Sequence, residues 1–157
     1  MKTLVVYYTR TGNARFVAQT IAARVGADIE EVIDLKKRSG IIGYFRGASD
    51  ARSGRETEIA PTTKSPTDYD LIVIGTPIWN ERPTPAIRTY LKKSSLAGKK
   101  VAVFFVQGRK KPQGIEQIKT LMPESKYAGE LSLSLPLRHK VEAEKQSASW
   151  CDKLTAG

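Results

Sequence analysis

The sequence predicts an α/β domain in which a parallel sheet of five strands is covered by helices on both faces. Three observations point there. Short β-type runs alternate with helical patterns from one end of the chain to the other. Several of those runs are apolar at consecutive positions, as in Leu4-Val5-Val6 and Leu71-Ile72-Val73-Ile74, which suits strands that meet water on neither face. The 157 residues are enough for one domain and too few for two ordinary ones, and no internal repeat or linker divides them.

The first strand is expected over residues 3–8. An apolar helical stripe follows at Phe16, Val17, Ile21 and Val25. Residues 29–33 form the second strand. Residues 36–66 are the least regular stretch, rich in Gly, Arg and Ser. Their apolar island at Ile41, Ile42, Tyr44 and Phe45 suggests a short helix inside a long exposed connection, with the two aromatics covering the sheet or meeting a partner. The turn-like residues 66–70 lead into a third strand over 71–75. A helix over 84–93 and a fourth strand over 101–106 come next. Pro112 can open another helix, with Ile115, Ile118 and Leu121 on one face. Leu131, Leu133 and Leu135 alternate as in an edge strand, and a polar helical tail over 140–154 closes the domain.

Composition narrows the function classes. No apolar run is long enough to span a bilayer. The chain opens directly into a strand pattern, without the apolar stretch and cleavage site of a signal peptide. Cys151 is the single cysteine, so no internal disulfide can form. Together these lead us to expect a cytoplasmic protein. Cys151 reads as a packed small residue, His139 as a surface residue, and Val5, Tyr7 and Ile72 as core. The net charge is +10, with clusters at Lys36, Lys37, Arg38, Arg46, Arg52 and Arg55 and at Arg109, Lys110 and Lys111. Such a field attracts acidic proteins, nucleic acid or anionic lipid, or is simply a solvated surface.

Ligands of open parallel sheets sit at the carboxyl ends of the strands. The first such end reads Thr9-Arg10-Thr11-Gly12-Asn13-Ala14 and runs into a helix. Backbone N–H groups at a helix start, together with the positive end of the helix dipole, make an anion site. Gly12 allows a tight turn, and Thr9 and Thr11 add hydroxyls. A phosphate monoester suits this geometry. A plain Ser/Thr/Gly turn opening a helix is the bland alternative. The dinucleotide and P-loop glycine patterns are absent, and Tyr7, Tyr8 and Thr9 stand where a response-regulator receiver needs acids.

The third strand ends in Gly75-Thr76-Pro77-Ile78-Trp79-Asn80-Glu81-Arg82-Pro83, on the same sheet edge. An exposed Trp79 offers a flat π surface to a planar ring, and Asn80 readily takes positive φ. Without a ligand, Trp79 is an aromatic at the rim of the core. The fourth strand ends in Gln107-Gly108-Arg109-Lys110-Lys111-Pro112.

The first of these loops resembles the flavodoxin phosphate loop, [TS]-x-T-G-N-[TA], and the second resembles the flavodoxin ring loop, T-W-G-[DE] or T-P-x-W. The resemblance covers most of the chain and is strongest over residues 3–25 and 68–91. It implies a flavodoxin-like three-layer sandwich with strand order 2-1-3-4-5 in a single domain over residues 1–157, and FMN as cofactor. Residues Thr9, Arg10, Thr11, Gly12, Asn13 and Ala14 would wrap the phosphate. Ala14 stands where many members have a second hydroxyl, a loss that Arg10 or Arg15 could offset. Thr76, Pro77, Ile78, Trp79 and Asn80 would flank the ring, Trp79 packing on its face and the Asn80 peptide facing N5. Gln107 and Gly108 would meet the N3, O2 and O4 edge, with Arg109 near N1 and O2, where a cation favours the reduced anion. The family implies a small electron carrier that meets redox partner proteins; the basic surface suggests that these are acidic, and no membrane span is expected. An FMN-dependent NAD(P)H or quinone reductase is the enzymatic alternative. A flavin-free domain binding acidic partners or nucleic acid is the non-redox one, with nucleic acid disfavoured.

Overall fold

The computed structural model describes residues 1–108 and 114–156. Its strands are β1 (Thr3–Tyr7), β2 (Asp28–Glu31), β3 (Leu71–Trp79), β4 (Arg82–Pro83), β5 (Lys100–Gln107) and β6 (Lys126–Ser134). Its helices are α1 (Asn13–Val25), α2 (Gly40–Arg52), α3 (Pro85–Lys93), α4 (Ile115–Thr120) and α5 (Lys140–Thr155). Five strands run parallel in the order β2-β1-β3-β5-β6, and the two residues of β4 fold back antiparallel on the end of β3. Counting only the five parallel strands, this is the expected 2-1-3-4-5 order.

Consecutive apolar residues in the strands supply two cores. Leu4, Val6, Ile72, Ile74, Val103 and Phe105 face one way, against Ile87, Tyr90 and Leu91 of α3 and Ile118 of α4. Val5, Tyr7, Val73, Ala102 and Phe104 face the other way, against Val17 and Ile21 of α1 and Trp150, Cys151 and Leu154 of α5. This explains why the runs show no period of two: each residue buries its side chain, on alternate faces. The Cys151 thiol is pushed up to about 11 by burial, which fits a packing role.

Register places the strand ends side by side. Tyr7 pairs with Gly75 across β1 and β3, and Pro77 pairs with Val106 across β3 and β5. The segments after Tyr7, within 75–83 and after Val106 therefore leave one rim of the sheet.

Two expectations need correction. The connection after β2 is not simply exposed, and its helix is not short. α2 spans thirteen residues and buries Gly43, Gly47, Asp50 and Ala51. Arg38 is not part of a solvated basic surface either. Its guanidinium donates to Asp34 Oδ2 and, at 3.0 Å, to Asp50 Oδ2, and its side chain is 4% exposed. Burial lowers its pKa, but hydrogen bonds and charge from both carboxylates more than offset that and raise it. Two acids flank this position, so the cation closes α2 onto the segment before it. The third strand runs to Trp79 rather than Gly75, and Leu135 lies beyond β6 at φ 46°. Pro112 lies outside the described residues.

Candidate functional site

The first turn is held by its own side chains. Thr9 Oγ1 accepts the Gly12 N–H at 3.0 Å, and Asn13 Nδ2 donates to Thr11 Oγ1 at 2.9 Å. Gly12 precedes α1 at φ 89°, a left-handed conformation that costs an L-residue about 1–2 kcal/mol. The Phe16 N–H is the first in α1 to meet a helical carbonyl, that of Gly12, at 3.0 Å. The N–H groups of Asn13, Ala14 and Arg15 have no such partner within the helix. No side chain caps this end, and its first turn holds no acid. The positive end of the dipole and three donors thus face the rim, which suits a dianionic phosphate.

The arginines do not face the same way. Arg10 donates through Nε to the Arg38 carbonyl at 3.1 Å and through Nη2 to the Gly40 carbonyl at 3.2 Å, and it lies over the Tyr44 ring. Arg15 is paired with Glu31 at 2.9 Å. Neither is therefore available to replace a hydroxyl at Ala14, whose methyl is fully buried.

A cleft of about 740 Å³ is bounded by Tyr44, Ile78, Asn80, Glu81, Gln107 and Gly108, with Arg52 and Arg82 also on its wall. Thr9 and Arg10 of the turn line a separate, smaller cleft with Val32, Asp34 and Arg38. Asn80 and Glu81 both have positive φ, 46° and 64°, as expected for Asn80. The Asn80 amide donates to the Ala48 carbonyl of α2 at 2.9 Å. Thr76 is fully buried, and its hydroxyl donates to Pro77 O and accepts the Thr84 N–H, fastening the β3–β4 hairpin. Gln107 is buried, with its Nε2 donating to Ser132 Oγ at 2.7 Å. Gly108 is exposed. Arg109 lies outside the described residues.

The expectation of an exposed Trp79 is overturned. The residue is 8% exposed. Its ring meets Tyr8 edge-on at 5.8 Å between centroids, and Gly47 of α2 also lies against it. A Cβ built on Gly47 would lie 2.6 Å from the indole, so only glycine allows α2 this close. The sequence suggests only a short helix inside an exposed connection over residues 36–66, and for that reason it fails to foresee α2 lying on the indole.

The structure thus brings residues of the second and third expected loops together on the cleft wall; no residue of the first loop lines it, and that loop is joined to it through Arg10, which lies over the Tyr44 ring. It adds Tyr44, Arg52, Arg82 and Gln117 to the wall. It also adds Leu137, whose N–H donates to Asn13 Oδ1 at 3.1 Å. Leu137 follows the last parallel strand and so leaves the same rim, a signal the sequence carries through its alternating leucines. Among the described residues there is no acid/His/Cys cluster able to hold a metal, and no helix long and apolar enough to cross a membrane.

The family model for flavodoxin matches residues 2–153. Among solved structures, the chain resembles a protein from Bacteroides uniformis ATCC 8492 assigned provisionally as a flavoprotein. The TM-score is 0.82 at 23% identity, over 96% of this chain and 97% of that one. It also resembles a flavoprotein in complex with FMN from Lactobacillus acidophilus NCFM, with TM-score 0.72 and 23% identity over 88% and 97%. A third likeness is to oxidised flavodoxin 2 from Bacillus cereus, with TM-score 0.59 and 18% identity over 99% of each chain. At these identities the structural likenesses establish the fold. No curated protein matches the chain by sequence.

Proposed function

The chain belongs to the flavodoxin family, and from that premise we propose that it binds FMN non-covalently and carries electrons between redox partner proteins. The observation that carries this reading is the uncapped, acid-free start of α1, placed on the same sheet rim as a ring-sized cleft. FMN, when bound, supplies the one-electron redox chemistry. The remaining work falls to the chain's own groups.

The N–H groups of Asn13, Ala14 and Arg15 and the Thr11 hydroxyl bind the phosphate. Thr9 and Asn13 keep that turn in shape before any ligand arrives, which lowers the ordering cost of binding. Arg10 contributes its backbone, while its side chain ties the turn to α2. Across the cleft the Asn80-Glu81 turn presents backbone to the ring edge, and Gln107 and Gly108 close the opposite side. Trp79 supports that turn from beneath, together with Thr76, Pro77 and Ile78. The L. acidophilus complex with FMN supports the choice of cofactor. The charge of +10 supports acidic partners.

Titration of the purified apo-protein with FMN, followed in the visible spectrum, tests this. One FMN per chain with a perturbed flavin spectrum is expected, and absence of uptake in excess FMN refutes the reading. Mixing the FMN-loaded protein with NADPH alone separates carrier from reductase: a carrier stays oxidised until a reductase is added.

A further inference from the structure

Residues 33–45 carry an unusual surface. Among the described residues nine large apolar side chains are exposed, and six of them, Ile33, Leu35, Ile41, Ile42, Tyr44 and Phe45, lie in this segment. The sharpest concentration is the first turn of α2, where Ile41 is 76%, Ile42 70% and Phe45 65% exposed. Helix spacing puts Ile41 and Phe45 on one line, with Ile42 beside them. The Phe45 ring packs edge-on against Tyr44 at 5.7 Å, so the aromatics form one knob. This knob is not a loose tip, because the buried Arg38–Asp34 and Arg38–Asp50 pairs and the Gly47–Trp79 contact fix α2 to the domain.

Charge says what the knob fits. From residue 35 to 49 the chain has no Asp or Glu, while Lys37 and Arg46 are exposed on both sides of the apolar residues, and Lys36, also exposed, lies 3.7 Å from Asp50, which it shares with Arg38. We propose that this face docks on the surface of an anionic lipid bilayer. Ile41, Ile42 and Phe45 enter the boundary between headgroups and acyl chains, while Lys36, Lys37 and Arg46 remain at the lipid phosphates. An acidic protein would satisfy the cations, but it gives no reason for two adjacent isoleucines at the helix start to be the most exposed large apolar side chains among the described residues. Docking of this kind is peripheral and needs no membrane-spanning helix. Since Tyr44 belongs to both the knob and the cleft, it would place the cleft mouth beside the headgroups.

Co-sedimentation of the FMN-treated full chain with vesicles tests the proposal. Neutral phosphatidylcholine vesicles are compared with vesicles containing phosphatidylglycerol, and bound protein is quantified on gels. This readout follows protein rather than flavin, so it stands apart from the outcome of the FMN titration. The wild type should sediment with the anionic vesicles and not with the neutral ones. The double variant Ile42→Ser, Phe45→Ser keeps every charge and should lose affinity by about tenfold or more. The variant Lys37→Glu, Arg46→Glu should lose it as well. Neither pair lines the cleft, and an unchanged circular dichroism spectrum confirms folding.

Four results would overturn the proposal. One is no sedimentation of the wild type. A second is binding indifferent to Ile42→Ser, Phe45→Ser, which means net charge alone. A third is a dimer in light scattering that those substitutions dissolve, which assigns the knob to a second copy. The last is equally strong, equally Ile42- and Phe45-dependent binding to polyglutamate, which assigns it to an acidic protein.

Discussion

The turn over residues 9–14 and the cleft beside it are built in opposite ways. The turn is closed by bonds from Thr9 to Gly12 and from Thr11 to Asn13, between residues no more than three positions apart. The cleft is closed by residues far apart in the chain: Asn80 reaches Ala48, Trp79 meets Gly47, and Arg38 ties Asp34 to Asp50. A local site is shaped as soon as its strand and helix form. A composite site exists only while α2 stays docked. The difference teaches that phosphate binding and ring binding can be perturbed separately, even though they share one rim. Riboflavin, which has the ring without the phosphate, is the natural second probe.

The largest effect is expected at Arg38. Arg38→Met leaves the buried Asp34 without its cation and Asp50 with only Lys36 and Arg55, each 3.7 Å away, and should cost about 3 kcal/mol in urea unfolding. FMN and riboflavin should weaken by the same factor, since the Thr9–Gly12 and Thr11–Asn13 bonds that shape the turn do not involve the Arg38 side chain. A selective loss of FMN would break the comparison. Gly47→Ala drives a methyl into the indole and should cost about 1–3 kcal/mol of stability. It too should affect both flavins alike.

On the other side, Gly12→Ala strains a left-handed position by about 1–2 kcal/mol. It should reduce the FMN-to-riboflavin affinity ratio in calorimetry while α2 keeps its protection from amide exchange. Thr11→Val removes the hydroxyl that accepts from Asn13 and that the proposed site turns to the phosphate; it should cost about 1 kcal/mol, roughly a fivefold loss for FMN with riboflavin unchanged.

The smallest effect is alkaline. Burial, with the charge of Asp34 adding to it, pushes Tyr8 up to about 12. Its folded value exceeds the unfolded one, near 10, so the native state holds this proton more tightly. Stability from this source is intact below about pH 10 and falls as pH rises towards about 12. Urea midpoints at about pH 9 and about pH 11 should show the decline, and Tyr8→Phe should lessen it, while Tyr69 and Tyr90, also pushed up to about 12 by burial, keep their share.

The same contrast decides what could be read in advance. Consecutive apolar residues at 4–6 and 71–74 identify two-faced strands directly, because each residue has its own side of the sheet to fill. Gly12, and Asn80 at φ 46°, follow from turn chemistry alone. The fate of Trp79 does not. Its burial depends on Gly47, thirty-two positions away in sequence, and on a helix whose first turn is apolar outward. That pattern is the reverse of an ordinary amphipathic helix, so the sequence suggests a short exposed helix where thirteen residues dock on the domain. Arg38 was hidden for a related reason: in sequence it is one more cation in a basic run, and only the fold sets carboxylates on either side of it.

The central claim is that two separated turns act on one molecule at one rim. Amide NMR of the isotope-labelled protein, titrated with FMN, tests it most directly. The account predicts that signals of Gly12 to Arg15 and those of Asn80 to Arg82 and Gly108 shift together, with one shared saturation point. Shifts confined to one of these groups, or saturating at different FMN concentrations, would contradict it.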